Sequence, residues 1–362
     1  MHLQSLRVLN FKNYAEGKFT FSPHINCIVG LNGVGKTNLL DAIFYLSMTK
    51  SYFNALDSQN ICNDESFFMI EGLAELDART VKIHCSLKKG EKKVFKLDNY
   101  PYEKMSEHLG KFPVVMIAPS DEELIRESHD IRRKFFDSII SQTDHSYLIA
   151  LVQYNHYLKQ RNALLKSHEY GKTLDRTLLA GYDTPLLKLA REIATKRQTF
   201  VRVFTPLVEQ YYAKISLKRE KINLHYMSKA LNDDFERLFE RSLNRDCLLQ
   251  RTHVGCHKDE YVFEINDSPI KKFGSQGQQK SFLLSLKLAQ FAFVKQDLGV
   301  TPLLLLDDIF DKLDDNRISS LLDIITSEDF EQIFITDARE ERTRSLISNK
   351  YDNVQVLRIG DD

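Results

Sequence analysis

The 362-residue chain is poor in cysteine: Cys27, Cys62, Cys85, Cys247 and Cys256 are the only five, and no C-x-x-C pair occurs. An odd count without paired spacing argues against a disulfide framework or a zinc site. Neither sign of charge is in excess, since 50 Lys and Arg balance 50 Asp and Glu. A nucleic-acid surface would have to be a local patch and not a field of the whole molecule. No apolar run approaches membrane-spanning length. The opening Met1-His2-Leu3-Gln4-Ser5-Leu6-Arg7 lacks the apolar core of a signal peptide. Internal repeats and low-complexity tracts are also missing. The expectation is a cytoplasmic protein with no membrane partner. At this length two or three domains are allowed, and 43% apolar residues suffice for their cores.

What is present begins with Gly30-Leu31-Asn32-Gly33-Val34-Gly35-Lys36-Thr37, a complete G-x-x-x-x-G-K-T. Ile28-Val29 close an apolar stretch that reads as a buried strand, and Asn38-Leu39-Leu40-Asp41-Ala42-Ile43-Phe44 reads as an amphipathic helix. That is the strand–loop–helix setting the motif requires. Glycines at 30, 33 and 35 free the backbone to turn its N–H groups onto phosphates. Lys36 would charge-pair the β- and γ-phosphates and Thr37 would ligate Mg²⁺, with 30–38, through Asn38, as the ATP cradle.

A second phosphate-handling segment lies 271 positions beyond Lys36 (307 minus 36). Thr301-Pro302-Leu303-Leu304-Leu305-Leu306 reads as a buried parallel strand that ends in Asp307-Asp308. In this reading Asp307 holds Mg²⁺ and Asp308 takes a proton from attacking water. A helix N-cap cluster of Asp307, Asp308 and Asp311 is the plain alternative. Upstream, Ser275-Gln276-Gly277-Gln278-Gln279-Lys280 leads into an apolar helical run. It resembles the ABC-ATPase signature, which closes on the nucleotide of a second copy; a polar helix start is the alternative. Asp311-Lys312-Leu313-Asp314 looks like the D-loop that follows. Thr336, in Ile333-Phe334-Ile335-Thr336-Asp337, stands where transporters usually carry a switch histidine.

The expected architecture is α/β. Residues 1–119 and 236–362 read as an ABC-type P-loop ATPase head, a mixed sheet with flanking helices, and 120–235 as an inserted helical subdomain. In the insert Leu151, Leu158 and Leu165 recur every seven, with Tyr154 and Arg161 interleaved. A second helix carries Leu186, Leu189, Ile193, Phe200, Phe204, Leu207 and Tyr211 on one stripe. Repeats this short suggest a compact subdomain and not a long coiled-coil arm. Residues 151–221 hold 14 Lys/Arg against 6 Asp/Glu, while 301–339 hold 10 acids against 3 Lys/Arg. The basic excess reads either as a phosphate-contacting surface or as ordinary solvated helix faces. Arg161 and Arg197 fall on apolar stripes and are expected to pair with carboxylates. Arg132 and Arg133 either contact DNA or set the insert against the head.

Over essentially its whole length the chain resembles the RecF family, of the SMC-like branch of ABC ATPases. The resemblance is carried by Leu9-Asn10-Phe11-Lys12-Asn13-Tyr14, by Gly30 to Asn38 leading into Asp41-Ala42-Ile43, and by Ala118-Pro119-Ser120-Asp121. It continues in Arg132-Arg133-Lys134-Phe135-Phe136-Asp137, in Gln160-Arg161-Asn162, in Ser275-Gln276-Gly277-Gln278 and in Leu306-Asp307-Asp308-Ile309-Phe310-Asp311-Lys312-Leu313-Asp314. It implies an ATP-dependent DNA-binding protein of recombinational repair and replication restart. Such a protein would act as an ATP-bound homodimer on single-stranded and gapped or duplex DNA and help a recombinase load. RecR- and RecO-type partners and weak ATP hydrolysis, used as a switch, are implied as well.

Two departures stand out. Many members carry an arginine after a Ser/Ala-Phe pair, and here Asn54 follows Ser51-Tyr52-Phe53. No clear Q-loop is found; Gln59 and Ser120-Asp121 are formal candidates. Among rival readings, a transporter subunit conflicts with Thr336 and with the helical insert. Another SMC-like repair head would bring long heptad arms or a zinc-hook C-x-x-C. An ATP-binding DNA clamp without significant turnover stays open.

Overall fold

Five short aliphatic runs pair as a parallel sheet, in the order Val354–Arg358, Ile25–Val29, Ile333–Asp337, Leu303–Leu306, Val114–Ile117. Four of the five are buried at every position, which is why they read as continuous apolar runs and do not alternate. A second sheet is antiparallel, ordered Tyr14–Thr20, His2–Phe11, Phe67–Leu76, Arg79–Lys88, Val94–Leu97, Tyr100–Pro101. Its two middle strands alternate between buried and accessible positions because one face is covered. This computed structural model describes residues 1–76, 78–127, 129–167, 175–216, 220–311, 313–327, 330–347 and 354–360.

The Lys36–Met48 helix lies between the two sheets, and 11 of its 13 residues are buried. Leu39, Leu40 and Ile43 share one core with Leu6, Val8 and Ile70 of the antiparallel sheet and with Ile28, Met116 and Leu305 of the parallel one. The expected amphipathic helix is therefore buried nearly all round, with Lys36, Asp41 and Ser47 enclosed among its apolar residues. This mixed α/β arrangement with a central P-loop helix is the head fold read from the sequence.

The chain folds as two units, Met1–Glu122 with Lys280–Asp362, and Glu123–Gln279. The inserted unit thus reaches to 279, whereas the sequence reading ended it at 235. The reason is long-range pairing. Strand Ile222–Met227 pairs with Glu260–Ile265 from Ile222↔Ile265 to Met227↔Glu260, and Ser268–Pro269 completes that small sheet. Asp246 and Asp259, beyond the expected boundary, are the ion-pair partners of Arg161 and Arg197.

Inside this unit the helices His129–Thr143, His145–Ser167 and Arg176–Ser216 dominate. The last has 41 residues, about 60 Å at 1.5 Å per residue. It outruns the short heptad pattern, continuing through Pro185 and Pro206. Leu186, Leu189, Ile193, Phe200, Phe204 and Tyr211 are buried as the stripe predicted. In the preceding helix Tyr154, Arg161 and Leu165 are buried, while Leu151 and Leu158 are only partly covered. Among the described residues no helix is long and apolar enough to cross a membrane, and the five cysteines are free thiols.

Candidate nucleotide site

The loop between strand Ile25–Val29 and helix Lys36–Met48 is shaped by glycines with positive φ: 157° at Gly30, 87° at Gly33 and 115° at Gly35. A Cβ on Gly30 would stand 2.4 Å from the Ile359 carbonyl oxygen, and one on Gly35 2.7 Å from the Asn13 amide. At Gly33 a Cβ would meet nothing within 4 Å. There the demand for glycine comes from the left-handed backbone, with φ 87°, and not from crowding. Leu31, Asn32 and Gly33 form the exposed rim, whereas Lys36 is buried. Lys36 Nζ donates to the carbonyls of Gly30 (2.9 Å) and Leu31 (3.0 Å).

A brace for this loop was missed in the sequence. Asn13 Nδ2 donates to the Val34 carbonyl (3.0 Å), Asn38 Nδ2 donates to Asn13 Oδ1 (2.7 Å), and the Tyr14 hydroxyl donates to the Gly35 carbonyl (3.1 Å). Asn13 and Tyr14 lie in the stretch that carried the family resemblance, which was the available signal. Below the loop, Asp41 is buried and accepts the Ser51 hydroxyl (2.6 Å) and the Tyr52 N–H (2.7 Å), and it pairs with Lys12 (2.5 Å).

The two halves of the site meet. Thr37 Oγ1 donates toward both Asp307 carboxylate oxygens, at 2.9 and 3.1 Å, across 270 residues. The Asp307 N–H donates to the Ile117 carbonyl (2.8 Å), which fixes the end of its strand. Burial pushes the Asp307 carboxyl above its ordinary range; hydrogen bonds from Thr336 and Thr37 oppose that, Asp308 adds to it and Lys36 counters it. Thr336, fully buried, donates to Asp307 Oδ1 (2.9 Å) and accepts the Asp308 N–H (2.9 Å). One hydroxyl therefore holds both aspartates. It also steadies Asp308 in a left-handed backbone with φ 43°, an unfavourable conformation for a residue with a Cβ.

The paired hydroxyl and carboxylate of Thr37 and Asp307 are hard oxygen donors of the kind Mg²⁺ takes together with substrate phosphates, so these residues fit that ion. The N-cap alternative belongs to another residue. Asp314 caps helix Asp315–Ser327 by accepting the Arg317 N–H (3.1 Å), and the Arg317 guanidinium pairs with it. The same guanidinium donates to the Ser281 hydroxyl (2.8 Å). Lys312 of the expected D-loop lies outside the described residues.

The signature segment opens helix Gln276–Leu298 with a reciprocal cap. The Ser275 hydroxyl accepts the Gln278 N–H (3.2 Å), and Gln278 Oε1 accepts the Ser275 N–H (2.7 Å). The polar helix start is therefore present. Ser275 and Gln276 are exposed at it, with Gly277 and Gln278 partly so.

The arginines of the insert divide sharply. Arg161 is fully buried on Asp183 (2.6 Å) and Asp246 (2.7 Å), and Arg197 is buried on Asp137 (2.9 Å) and Asp259 (2.8 Å), as their apolar stripes predicted. Arg132 donates to the carbonyls of Leu124, Ile125 and Tyr261, and Arg133 to Asp130 and the Asp259 carbonyl, all within the same unit. The basic excess of 151–221 is therefore partly internal. Lys159, Lys166, Arg176, Lys188, Arg202 and Lys221 are among its exposed members. Of the Q-loop candidates, Gln59 is exposed, accepting the Leu56 N–H (3.3 Å), whereas Asp121 is buried. Asn54 donates to Asn60 Oδ1 (2.9 Å).

Residues 2–356 match the RecF/RecN/SMC N terminal domain family. The DNA replication and repair protein RecF of Flavobacterium johnsoniae is 46% identical over 359 residues, spanning 99% of this chain and 100% of that protein. The chain belongs to the RecF family. A solved structure described as the recombination mediator protein RecF-ATP in the RecFOR pathway superposes on it with a TM-score of 0.86 at 32% identity. That match covers 93% of this chain and 92% of that one. The Smc head domain of Pyrococcus furiosus aligns with a TM-score of 0.55 at 17% identity, over 98% of this chain and 93% of that one, and shares the fold alone. RecF membership agrees with the family resemblance and leaves no place for the rival transporter reading.

Proposed function

We propose that this RecF-family protein is an ATP-dependent DNA-binding factor of recombinational repair and replication restart. In this reading it works as a homodimer at single-strand gaps or single-strand/duplex junctions, helps a recombinase load, and acts in the cytoplasm. The observation that carries the reading is the meeting of Thr37 with Asp307 beside a P-loop whose rim is open, in a chain similar over its full length to RecF proteins. When bound, Mg²⁺ and ATP supply a dense local charge and a hydrolysable phosphate. Lys36, now held by two carbonyls, would offer its ammonium to phosphate oxygens, and Thr37 and Asp307 would hold the cation. Asp308 accepts the proton of attacking water at its carboxylate. Ser275 and Gln276 are exposed, and Gly277 and Gln278 partly so, at a helix N-terminus, which suits an anion offered by a second copy. Single-stranded and gapped or duplex DNA, and RecR- and RecO-type mediators, are its partners in this reading.

Sedimentation of the wild type, Lys36→Ala and Asp308→Asn, with and without ATP, tests the switch. Lys36→Ala stays monomeric with ATP, and Asp308→Asn accumulates as dimer. The reading fails if Asp308→Asn with ATP is no more dimeric than nucleotide-free protein. Steady-state ATPase with and without gapped DNA separates a switch from a clamp without turnover.

A further inference from the structure

Outside the nucleotide cradle, and below the strand end that carries Asp307, lies a buried ion pair. Lys287 Nζ is 2.8 Å from Asp121 Oδ1, and both side chains are almost wholly buried. Lys287 also donates to the Tyr52 hydroxyl (2.7 Å) and to the Met116 carbonyl (2.9 Å). The Tyr52 hydroxyl donates in turn to Asp121 Oδ1, and Asp121 Oδ2 accepts the Ala118 N–H (2.7 Å). Buried ion pairs are poor sources of net stability, because desolvation offsets their attraction. In some proteins such pairs hold particular segments in one arrangement, so the segments held here are informative.

There are three. Tyr52 is tied to the P-loop helix, since its N–H donates to Asp41 (2.7 Å), one turn beyond Thr37. Asp121 follows by four residues Ile117, whose carbonyl takes the Asp307 N–H (2.8 Å). Lys287 sits on helix Gln276–Leu298, 11 residues past Gln276 (287 minus 276), about 16 Å along the axis from the signature. In sequence, Asp121 comes one residue before Glu122 and Lys287 seven after Lys280, where the two stretches of this unit end and resume. A displacement of the P-loop helix that carried Asp41 would pull on Tyr52. It could leave Lys287 and Asp121 in place only by taking from both the hydroxyl they share, which leaves buried hydrogen-bonding groups unmet.

We infer that Lys287, Asp121 and Tyr52 form a joint that passes occupancy of the P-loop to the helix carrying residues 275–278, and so makes self-association depend on ATP. The inference rests on the ATP-driven dimer proposed above. These are positioning residues; none belongs to the nucleotide cradle. The experiment pairs two readouts for Tyr52→Phe, Asp121→Asn, Lys287→Met and Lys287→Arg. A fluorescent ATP analogue is titrated into dilute protein, and sedimentation gives the dimer dissociation constant with and without ATP. Tyr52→Phe keeps its volume and guards against a variant that simply misfolds.

The joint predicts unchanged analogue affinity in all four variants. ATP tightens the dimer at least about fivefold less in Tyr52→Phe, Asp121→Asn and Lys287→Met than in the wild type, the lower end of ordinary coupling. Lys287→Arg restores the coupling. If wild type and variants dimerise alike with ATP, the joint is overturned and the dimer stands. If the wild type itself does not respond to ATP, both fall. Loss of analogue binding in step with loss of thermal stability in every variant, Tyr52→Phe included, would reduce the cluster to a structural part and overturn the inference.

Discussion

Replacing Arg161 with methionine separates a structural arginine from a DNA contact. The guanidinium donates to Asp183 (2.6 Å), Asp246 (2.7 Å) and the Thr252 hydroxyl (2.8 Å), and it stacks on the Phe239 ring at 4.6 Å. Methionine can keep much of the packing but leaves two carboxylates without their cation. Removing one partner of a buried ion pair costs about 3–5 kcal/mol. The lower end applies here. Asp246 keeps the His253 N–H (3.0 Å) and ring nitrogen (2.9 Å), and the Asp183 side chain, 23% exposed, regains water. The expected loss is about 3 kcal/mol at pH 7, read as a lower urea midpoint and as faster hydrogen exchange along Arg176–Ser216.

The loss also depends on pH. Burial already holds the Asp183 carboxyl above its ordinary range, with Arg161 opposing it, so removing Arg161 raises it further. A raised folded-state pKa gives stability that is present below the unfolded value and lost as pH rises through the folded one. The deficit is therefore largest at neutral pH and shrinks on acidification. In parallel, the salt dependence of DNA binding keeps its slope, whereas loss of a phosphate contact would lower that slope by about one. A deficit under about 1 kcal/mol at pH 7, or a slope reduced by about one, would refute the assignment.

Two other outcomes follow from the same geometry. Thr336→Val removes the hydroxyl shared by Asp307 and Asp308, so ATP turnover falls at least about tenfold with little change in KM, and Thr336→Ser recovers most of it; equal kcat in valine and wild type would sink this role. Burial lowers the imidazoles of His108 and His257 to about 4, so stability is present above the unfolded value and lost as pH falls toward 4. Each contributes about 1.4 kcal/mol per pH unit in that window, and urea midpoints of His257→Asn should show a slope smaller by one proton.

The P-loop and the leucine strand before Asp307 were legible because each is contiguous, with a period and a flank that point one way. The roles of Asn13, Tyr14 and Thr336 were not, since a brace or a bridging hydroxyl exists only once distant segments meet. Thr336 drew attention by replacing a histidine, yet its two hydrogen bonds depend on the Asp308 turn. The fate of 236–279 was hidden for a similar reason. Strand Glu260–Ile265 finds its partner 38 residues back (260 minus 222) in Ile222–Met227, and nothing in its composition names that partner. The heptads likewise marked where helices cross but not where they end, so Arg176–Ser216 ran longer than its repeat.

Helix Gln276–Leu298 begins in one folding unit and continues in the other, with the boundary at Gln279 and Lys280. The inserted unit is therefore not a cassette that could be traded between relatives on its own. An exchange of residues 123–279 would carry the Ser275–Gln278 cap with it while leaving the Gly30–Thr37 loop untouched. In heredity as in engineering, changes to the inserted unit and changes to the start of this helix would travel together.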